Sequence, residues 1–339
     1  MIAMHSQGAV SYGLDIGGSK MELVAFTDGA TAVDGGLVEL LRERVATPGA
    51  DFAQFIDCLC ALVERADRQC GVRAPIGIGL PGIIDAASGR QHSSNVPALH
   101  GRLVVPELER ALARQIAIGN DCQCFALSEA HFGAAQAAPV MFGAILGTGA
   151  GGGYCIDGRL QRGRNGIAGE WGHWAIPAAQ LQQYELPLLN CPCGRRGCLE
   201  RYVAGPGMTR LHQLLRARSG QPDGDGQGDQ PLAIAARAAA GDAIAARTLA
   251  VHMDLLGHAF AQLVLILDPH VIVLGGGLSQ LPHLYQQLPD DVGRHLVSGT
   301  RPPPIVPARF GDAGGARGAA LLVHPLRHPC ASIHASPAP

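Results

Sequence analysis

The 339-residue sequence contains a single lysine, Lys20, and only 16% charged residues, with 26 basic against 28 acidic side chains for a net charge of −2. A chain so close to neutral has no global positive field for holding a polyanion, which excludes nucleic acid as the expected partner. Aromatic residues are scarce at 4%, but a hydrophobic fraction of 47% supports sizeable cores and argues against global disorder. Long apolar runs are missing. Leu263–Leu267 and Val271–Leu274 fall far short of the ~20 residues that cross a bilayer, so no membrane partner is expected. Residues 1–10 lack the basic and apolar regions of a secretion signal, so the expected location is the cytoplasm. In a reducing compartment the ten cysteines are free thiols or metal ligands. Neither G-x-x-x-x-G-K-[ST] nor a strand-linked G-x-G-x-x-G followed by an acidic residue is found, which disfavours the P-loop and Rossmann readings.

What is there alternates strands with helices, the pattern of an α/β fold. Tyr12–Ile16 and Met21–Phe26 form a hairpin around Gly17-Gly18-Ser19, and a third strand covers Leu37–Val45. From Asp51 to Arg68 the apolar positions follow helical spacing, with Asp51 as the N-cap. A strand from Pro75 to Leu80, a helix over 106–114, a strand from Ile116 to Ile118 and a helix from Cys122 to Phe132 follow. Met141–Leu146 then runs into a glycine turn spanning Gly147–Gly153 and leaves as a strand over Tyr154–Leu160. Helices over 231–240 and 242–267 precede the strand Val271–Leu274, which enters Gly275–Gly277, and a final helix covers 315–324. Residues 219–230 are polar and glycine-rich, a flexible insert with no assigned task. Three glycine turns directly after strands offer bare backbone N–H groups to phosphate oxygens, a nucleotide site of another kind than the two excluded.

The motifs D-I-G-G-S-K (Asp15–Lys20), L-P-G-I-I-D (Leu80–Asp85), N-D (Asn120-Asp121), L-G-T-G-A-G-G-G (Leu146–Gly153), G-E-W-G-H (Gly169–His173), C-P-C-G-R-R-G-C-L-E (Cys191–Glu200) and V-L-G-G-G-L (Val273–Leu278) together resemble the ROK family of sugar kinases and repressors. The resemblance spans residues 12–324. It implies the two-lobed, actin-like (RNase H-like) ATPase fold: a small lobe over 11–118 joined by a returning helix at 312–326, a large lobe over 119–311, and a tail over 327–339. N-V-P-A (Asn95–Ala98), C-F-A-L-S-E-A (Cys124–Ala130) and G-D-A-G-G-A-R-G-A-A (Gly311–Ala320) are similar to the members that phosphorylate N-acetyl-D-glucosamine. That implies transfer from ATP, with Mg2+, to the sugar 6-hydroxyl in a homodimer. Glucose, fructose and N-acetylmannosamine are alternative acceptors. A sugar-responsive regulator is a remoter alternative, disfavoured because only 14 residues precede Asp15 where repressors carry a helix-turn-helix.

Cys191, Cys193 and Cys198, at C-x-C-x4-C spacing, with His173 upstream, make a structural Cys3His zinc site on a loop over 173–198. The other cysteines, Cys58, Cys60, Cys70, Cys122, Cys124, Cys155 and Cys330, read as small core hydrophobes. Asp121 taken alone is well explained as the N-cap of the helix it opens. With the whole constellation, and as the resemblance implies, it is the base that takes the hydroxyl proton. By the same resemblance the sugar is held by Gly82, Asn95, Asn120, Asp121, Glu170, His173 and Glu200. ATP is held by Gly13, Asp15, Gly17, Gly18, Ser19, Lys20, Gly147, Thr148, Gly149, Gly151, Gly152, Gly153, Gly275, Gly276 and Gly277. Ser19 departs from the family's usual Thr but keeps the hydroxyl, and Ala150 stands where bulkier Val or Ile is common, which changes only packing beneath the second glycine turn.

Overall fold

The computed structural model describes residues 9–29, 36–93, 95–221, 228–311 and 314–324. Its first sheet starts from the expected hairpin, β1 (Val10–Ile16) and β2 (Lys20–Asp28), with β3 (Leu37–Ala46) beside β2. Two further strands, β4 (Ile76–Leu80) and β7 (Ile116–Asn120), run parallel to β1, giving the order β3-β2-β1-β4-β7. Between β3 and β4 in the chain, α1 (Phe52–Cys70) starts where the Asp51 carboxylate accepts a hydrogen bond from the Gln54 amide and stops at Gly71, φ 67°. Its Phe55, Leu59, Leu62, Val63 and Ala66 face the sheet, as helical spacing requires. A small ribbon, β5 (Ile83–Ile84) with β6 (Gln91–His92), and α2 (Val104–Leu112) complete this half. The sheet extends two residues beyond 118, because Asn120 still pairs with Leu80.

The second sheet repeats the first. A hairpin of β8 (Val140–Leu146) and β9 (Ala150–Ile156), with β10 (Arg159–Leu160) beside β9, is followed by the parallel strands β11 (Val271–Gly275) and β12 (Ile305–Pro307). Their order, β10-β9-β8-β11-β12, is strand for strand that of the first sheet. Here the sequence reading needs correction. β9 begins at Ala150, not Tyr154, so Gly151, Gly152 and Gly153 are buried strand residues and the turn is confined to 147–149.

Around this sheet lie α4 (Ala178–Gln183), α5 (Glu200–Val203), α6 (Gly205–Arg218), α7 (Pro231–Ala239), α8 (Ala243–Leu267) and α9 (Pro282–His295). Helix α8, capped by the Asp242 carboxylate, is long and apolar enough to cross a bilayer, which short-run counting did not anticipate. Its Val251, Leu255, Leu256, Ala259 and Phe260 are instead fully packed into the core of this half. The end of the polar insert is also packed: Asp229 is only 1% exposed, while residues 222–227 lie outside the described set.

Two helices join the halves. α3 (Asp121–Phe132) and α10 (Gly314–Leu321) lie between the sheets, and Phe125, Ala126, Ala316 and Ala320 share one core with Val24 and Phe26 of the first sheet and Met141 and Val273 of the second. The approach is backbone to backbone. A Cβ on Gly13 would fall 1.8 Å from the Ala316 carbonyl oxygen, one on Gly77 1.8 Å from that of Ala319, and one on Gly318 1.7 Å from that of Cys124. Only glycine permits this contact. The returning helix expected over 312–326 is described only as 314–321, and the tail at 327–339, with Cys330, lies outside the described residues. Cys124 and Cys155 are buried and Cys58, Cys60, Cys70 and Cys122 half-buried.

Candidate active site

Parallel pairing sets Asp15 beside Gly79 and Leu80 beside Asn120, so the carboxyl ends of β1, β4 and β7 open side by side, the usual location of a ligand crevice in such sheets. Asn120 is the cap of α3: its side-chain oxygen accepts from the Cys122 amide at 2.9 Å and the Gln123 amide at 3.4 Å. The capping role considered for Asp121 therefore belongs to its neighbour. Asp121 is the first residue of the helix, with Oδ1 accepting from the Cys122 amide at 2.9 Å. Burial raises the Asp121 pKa above the usual carboxylate value, against the opposing hydrogen bonds from Cys122. A carboxylate that pays for its charge is a better proton acceptor than a solvated one.

The amide of Asn120 also donates to the Gly82 carbonyl at 3.2 Å, tying the loop after β4 to this corner. Gly82 has φ 87°, and a Cβ there would lie 2.0 Å from the His92 carbonyl oxygen. Asn95 is exposed on the adjoining loop, its carbonyl oxygen 2.8 Å from where a Cβ on Gly18 would be, so the acceptor loop lies directly on the first glycine turn.

Across the cleft, G-E-W-G-H is fastened to β9 by the Trp171 indole N–H, which donates to the Gly151 carbonyl at 2.7 Å. Burial, then the charges of Asp121 and Glu200, push the Glu170 carboxyl up to about 7. Glu170 thus feels the charges of both Asp121 and Glu200. His173 Nε2 lies 3.8 Å from Glu170, while Nδ1 lies 3.9 Å from Glu200 and 3.8 Å from Cys191 Sγ. The Nε2 edge of the imidazole faces Glu170, and the Nδ1 edge faces Glu200 and the Cys191 thiol.

Cys191, Cys193, Cys198 and His173 bring four ligand atoms within 4.8 Å of one another, and the Cys193 and Cys198 sulfurs are 3.6 Å apart. Zn–S and Zn–N bonds of about 2.3 and 2.0 Å in a tetrahedron require ligand separations of about 3.5–3.8 Å. The four residues fit zinc. Glu200 bridges this cluster to the second glycine turn: Oε1 is 3.0 Å from Cys191 Sγ, and Oε2 is 3.0 Å from where a Cβ on Gly149 would be.

The residues expected to hold ATP divide in two. Gly18, Ser19, Thr148, Gly276 and Gly277 are exposed, and Gly17, Lys20, Gly147 and Gly149 half-buried, on the three turns facing the cleft. Gly276 has φ 81° and no room for a Cβ, which would lie 2.4 Å from the Leu146 carbonyl oxygen. Gly13, Gly151, Gly152, Gly153 and Gly275 are buried, and their contacts are packing contacts. A Cβ on Gly275 would lie 2.7 Å from the Phe125 ring, and one on Gly153 2.8 Å from the Gln123 Cα. The Asp15 carboxyl is held 2.6 Å from where a Cβ on Gly315 would be, at the positive end of α10. Beyond the second and third turns a cleft of about 680 Å³ opens between α6 and α7, lined by Thr209, Arg210, Gln213, Gln230, Pro231 and Leu232. No local signal in the sequence marked these residues, which come from two helices separated by the polar insert.

Residues 11–325 match the ROK family. The chain is 44% identical to the N-acetylgalactosamine kinase AgaK of Shewanella sp. (strain ANA-3), covering 93% of this chain and 97% of that one. It is 39% identical to an N-acetyl-D-glucosamine kinase of Yersinia pseudotuberculosis serotype IB (strain PB1/+), covering 92% and 98%. Among solved structures, the ROK hexokinase of Thermus thermophilus superposes with a TM-score of 0.77 at 32% identity, covering 92% of this chain and 97% of that one. This chain therefore belongs to the ROK family, and its paired sheets are the two lobes of the actin-like ATPase fold.

Proposed function

We propose that the protein is an ATP-dependent kinase that phosphorylates the 6-hydroxyl of an N-acetylated hexosamine, N-acetyl-D-glucosamine first, with Asp121 as general base. The observation that carries this reading is the position of Asp121. It opens α3 at the corner shared by Asn120 and Gly82, and its charge reaches Glu170 across the cleft.

Gly82, Asn95, Asn120, Glu170, His173 and Glu200 orient the sugar by directional hydrogen bonds, the only strong handle a polyol offers. Asp121 takes the proton of the 6-hydroxyl as that oxygen bonds to the γ-phosphorus. The bond from γ-phosphorus to the β,γ-bridging oxygen breaks, and its electron pair leaves with ADP. The amides of the turns at 17–19, 147–149 and 276–277 cradle the phosphates. Magnesium, when bound, neutralises phosphate charge, and Asp15 is the residue that would face it. His173, Cys191, Cys193 and Cys198 would hold zinc, which when bound would order the loop that carries Glu200 and fix the orientation of His173. Closure of the lobes excludes water from the γ-phosphate. The enzyme works as a cytoplasmic homodimer.

N-acetyl-D-galactosamine is a second reading, favoured by the 44% identity to the Shewanella N-acetylgalactosamine kinase. The two sugars differ in one hydroxyl configuration, at C4. ADP release with Mg2+ and ATP, measured as kcat/KM for both N-acetylhexosamines, N-acetylmannosamine, glucose and fructose, decides. Preference for N-acetyl-D-glucosamine supports the first reading, preference for its C4 epimer the second. Preference for an unacetylated sugar removes both, and no turnover with any sugar removes the kinase.

A further inference from the structure

Helix α6 presents Thr209, His212, Gln213 and Arg216 at i, i+3, i+4 and i+7, one stripe along its surface. All four converge on a single buried residue at the end of the polar insert. The Asp229 Oδ1 accepts from Arg216 Nη1 at 3.0 Å, Oδ2 accepts from Gln213 Nε2 at 3.3 Å, and the Asp229 carbonyl accepts from Thr209 Oγ1 at 2.8 Å. His212 Nε2 stands 3.8 Å from Oδ1, and its Nδ1 is 2.8 Å from Thr248 Oγ1 on α8. The Thr248 hydroxyl already donates to the Ile244 carbonyl, so it accepts from the His212 Nδ1–H. A surface insert has no need of a residue that is 1% exposed and hydrogen-bonded by three side chains of one helical face, Thr209, Gln213 and Arg216.

The neighbours of Asp229 give the reason. Gln230, Pro231 and Leu232, which follow it directly, form one wall of the cleft beyond the glycine turns, and Thr209, Arg210 and Gln213 form the opposite wall. Two of the residues that bind Asp229, Thr209 and Gln213, therefore also line the cleft. We infer that Asp229 is the positioning residue of the nucleotide cleft: it pins the Gln230–Leu232 wall to α6 and holds Thr209 and Gln213 in place for a nucleoside triphosphate. This rests on the kinase reading above.

Truncating the carboxylate loosens the cleft without touching Asp121, the glycine turns or the acceptor residues. Steady-state kinetics of the full-length Asp229→Ala variant are therefore expected to show a KM for ATP about tenfold higher, with the sugar KM and the kcat at saturating ATP within about twofold of wild type. Asp229→Asn keeps an acceptor for Arg216 and the backbone carbonyl for Thr209 but cannot accept from Gln213, so its KM for ATP is expected between the two. Mere loss of folded protein lowers kcat and leaves both KM values alone, which separates positioning from stability. Isothermal titration with ADP must give the same order of affinities without turnover. An unchanged ATP KM in Asp229→Ala, or in Asp229→Asn where the alanine variant fails to fold, overturns the inference; so does an equal rise in the sugar KM. Wild-type protein that binds ADP but phosphorylates no sugar condemns the kinase reading instead, and the ADP titrations still test the cleft.

Discussion

Asp121→Asn separates chemistry from architecture. The Asp121 carboxyl is displaced upward by burial and opposed by hydrogen bonds from Cys122, so its charge is maintained at a cost to the fold. Because the shift is upward, the stability this group contributes is present below the ordinary aspartate pKa and is lost as pH rises through the raised value. At neutral pH the native aspartate is therefore a liability. Asparagine keeps the shape and the Oδ1 acceptor for the Cys122 amide, which the Asn120 side chain also satisfies. The melting temperature at pH 7.5 is expected to be no lower than that of wild type. Catalysis is expected to lose the contribution of a positioned base, about 10²–10⁴-fold in kcat, equivalent to about 2.7–5.4 kcal/mol of transition-state stabilisation. The sugar KM should move by less than about threefold, since the acceptor geometry is retained. In the wild type the same upward shift places the acid limb of the kcat profile above the usual aspartate range, with activity falling as pH falls through it. ADP release across pH 4–9, with a thermal melt of each protein, reads all of this. A variant within tenfold of wild-type kcat would refute the base assignment, and so would a loss of rate matched by a loss of folded protein.

Cys193→Ser is expected to lose zinc by elemental analysis and to raise the sugar KM, because Glu200 and His173 are held through the same cluster; full zinc occupancy would remove Cys193 as a ligand. Gly77→Ala places a methyl group 1.8 Å from the Ala319 carbonyl oxygen, where real contacts do not fall below 3.0 Å. Displacing α10 to make room should cost about 1–3 kcal/mol or more, seen as a lower Tm, and should raise the ATP KM because the same helix meets Asp15. An unchanged Tm would mean that the two backbones are not pressed together.

The local features of this molecule were legible before its structure. The α1 stripe from Phe55 to Ala66, the Asp51 cap, the hairpin around 17–19 and the C-x-C-x4-C spacing each depend on residues a few positions apart. Composition misled where it could not tell a turn from a tight strand: Gly151 and Gly153 lie against α3 and Gly152 against Gly143 and Phe142 of β8. Asp121 was legible as a residue of consequence, but which of Asn120 and Asp121 caps the helix depended on rotamers. The wall of the cleft between α6 and α7 was invisible, because Gln213 and Gln230 come to line one cavity only through tertiary packing. Asp229 was hidden by its company, a single buried acid at the end of a run whose composition reads as solvent-exposed.

The shared strand order gives the two halves corresponding loops with separate tasks. A loop following the second parallel strand of each sheet carries a left-handed glycine pressed onto a carbonyl oxygen: Gly82 at φ 87° against His92, and Gly276 at φ 81° against Leu146. They follow corresponding strands of the two halves, although by register Gly276 lies level with Leu80 and Gly82 two residues further on. One lies at the acceptor corner, the other at the nucleotide cleft. A side chain added at either glycine would therefore be felt in a different place, at Gly82 against the His92 carbonyl in the corner of Asn120 and Asp121, and at Gly276 against the Leu146 carbonyl beside the cleft between α6 and α7.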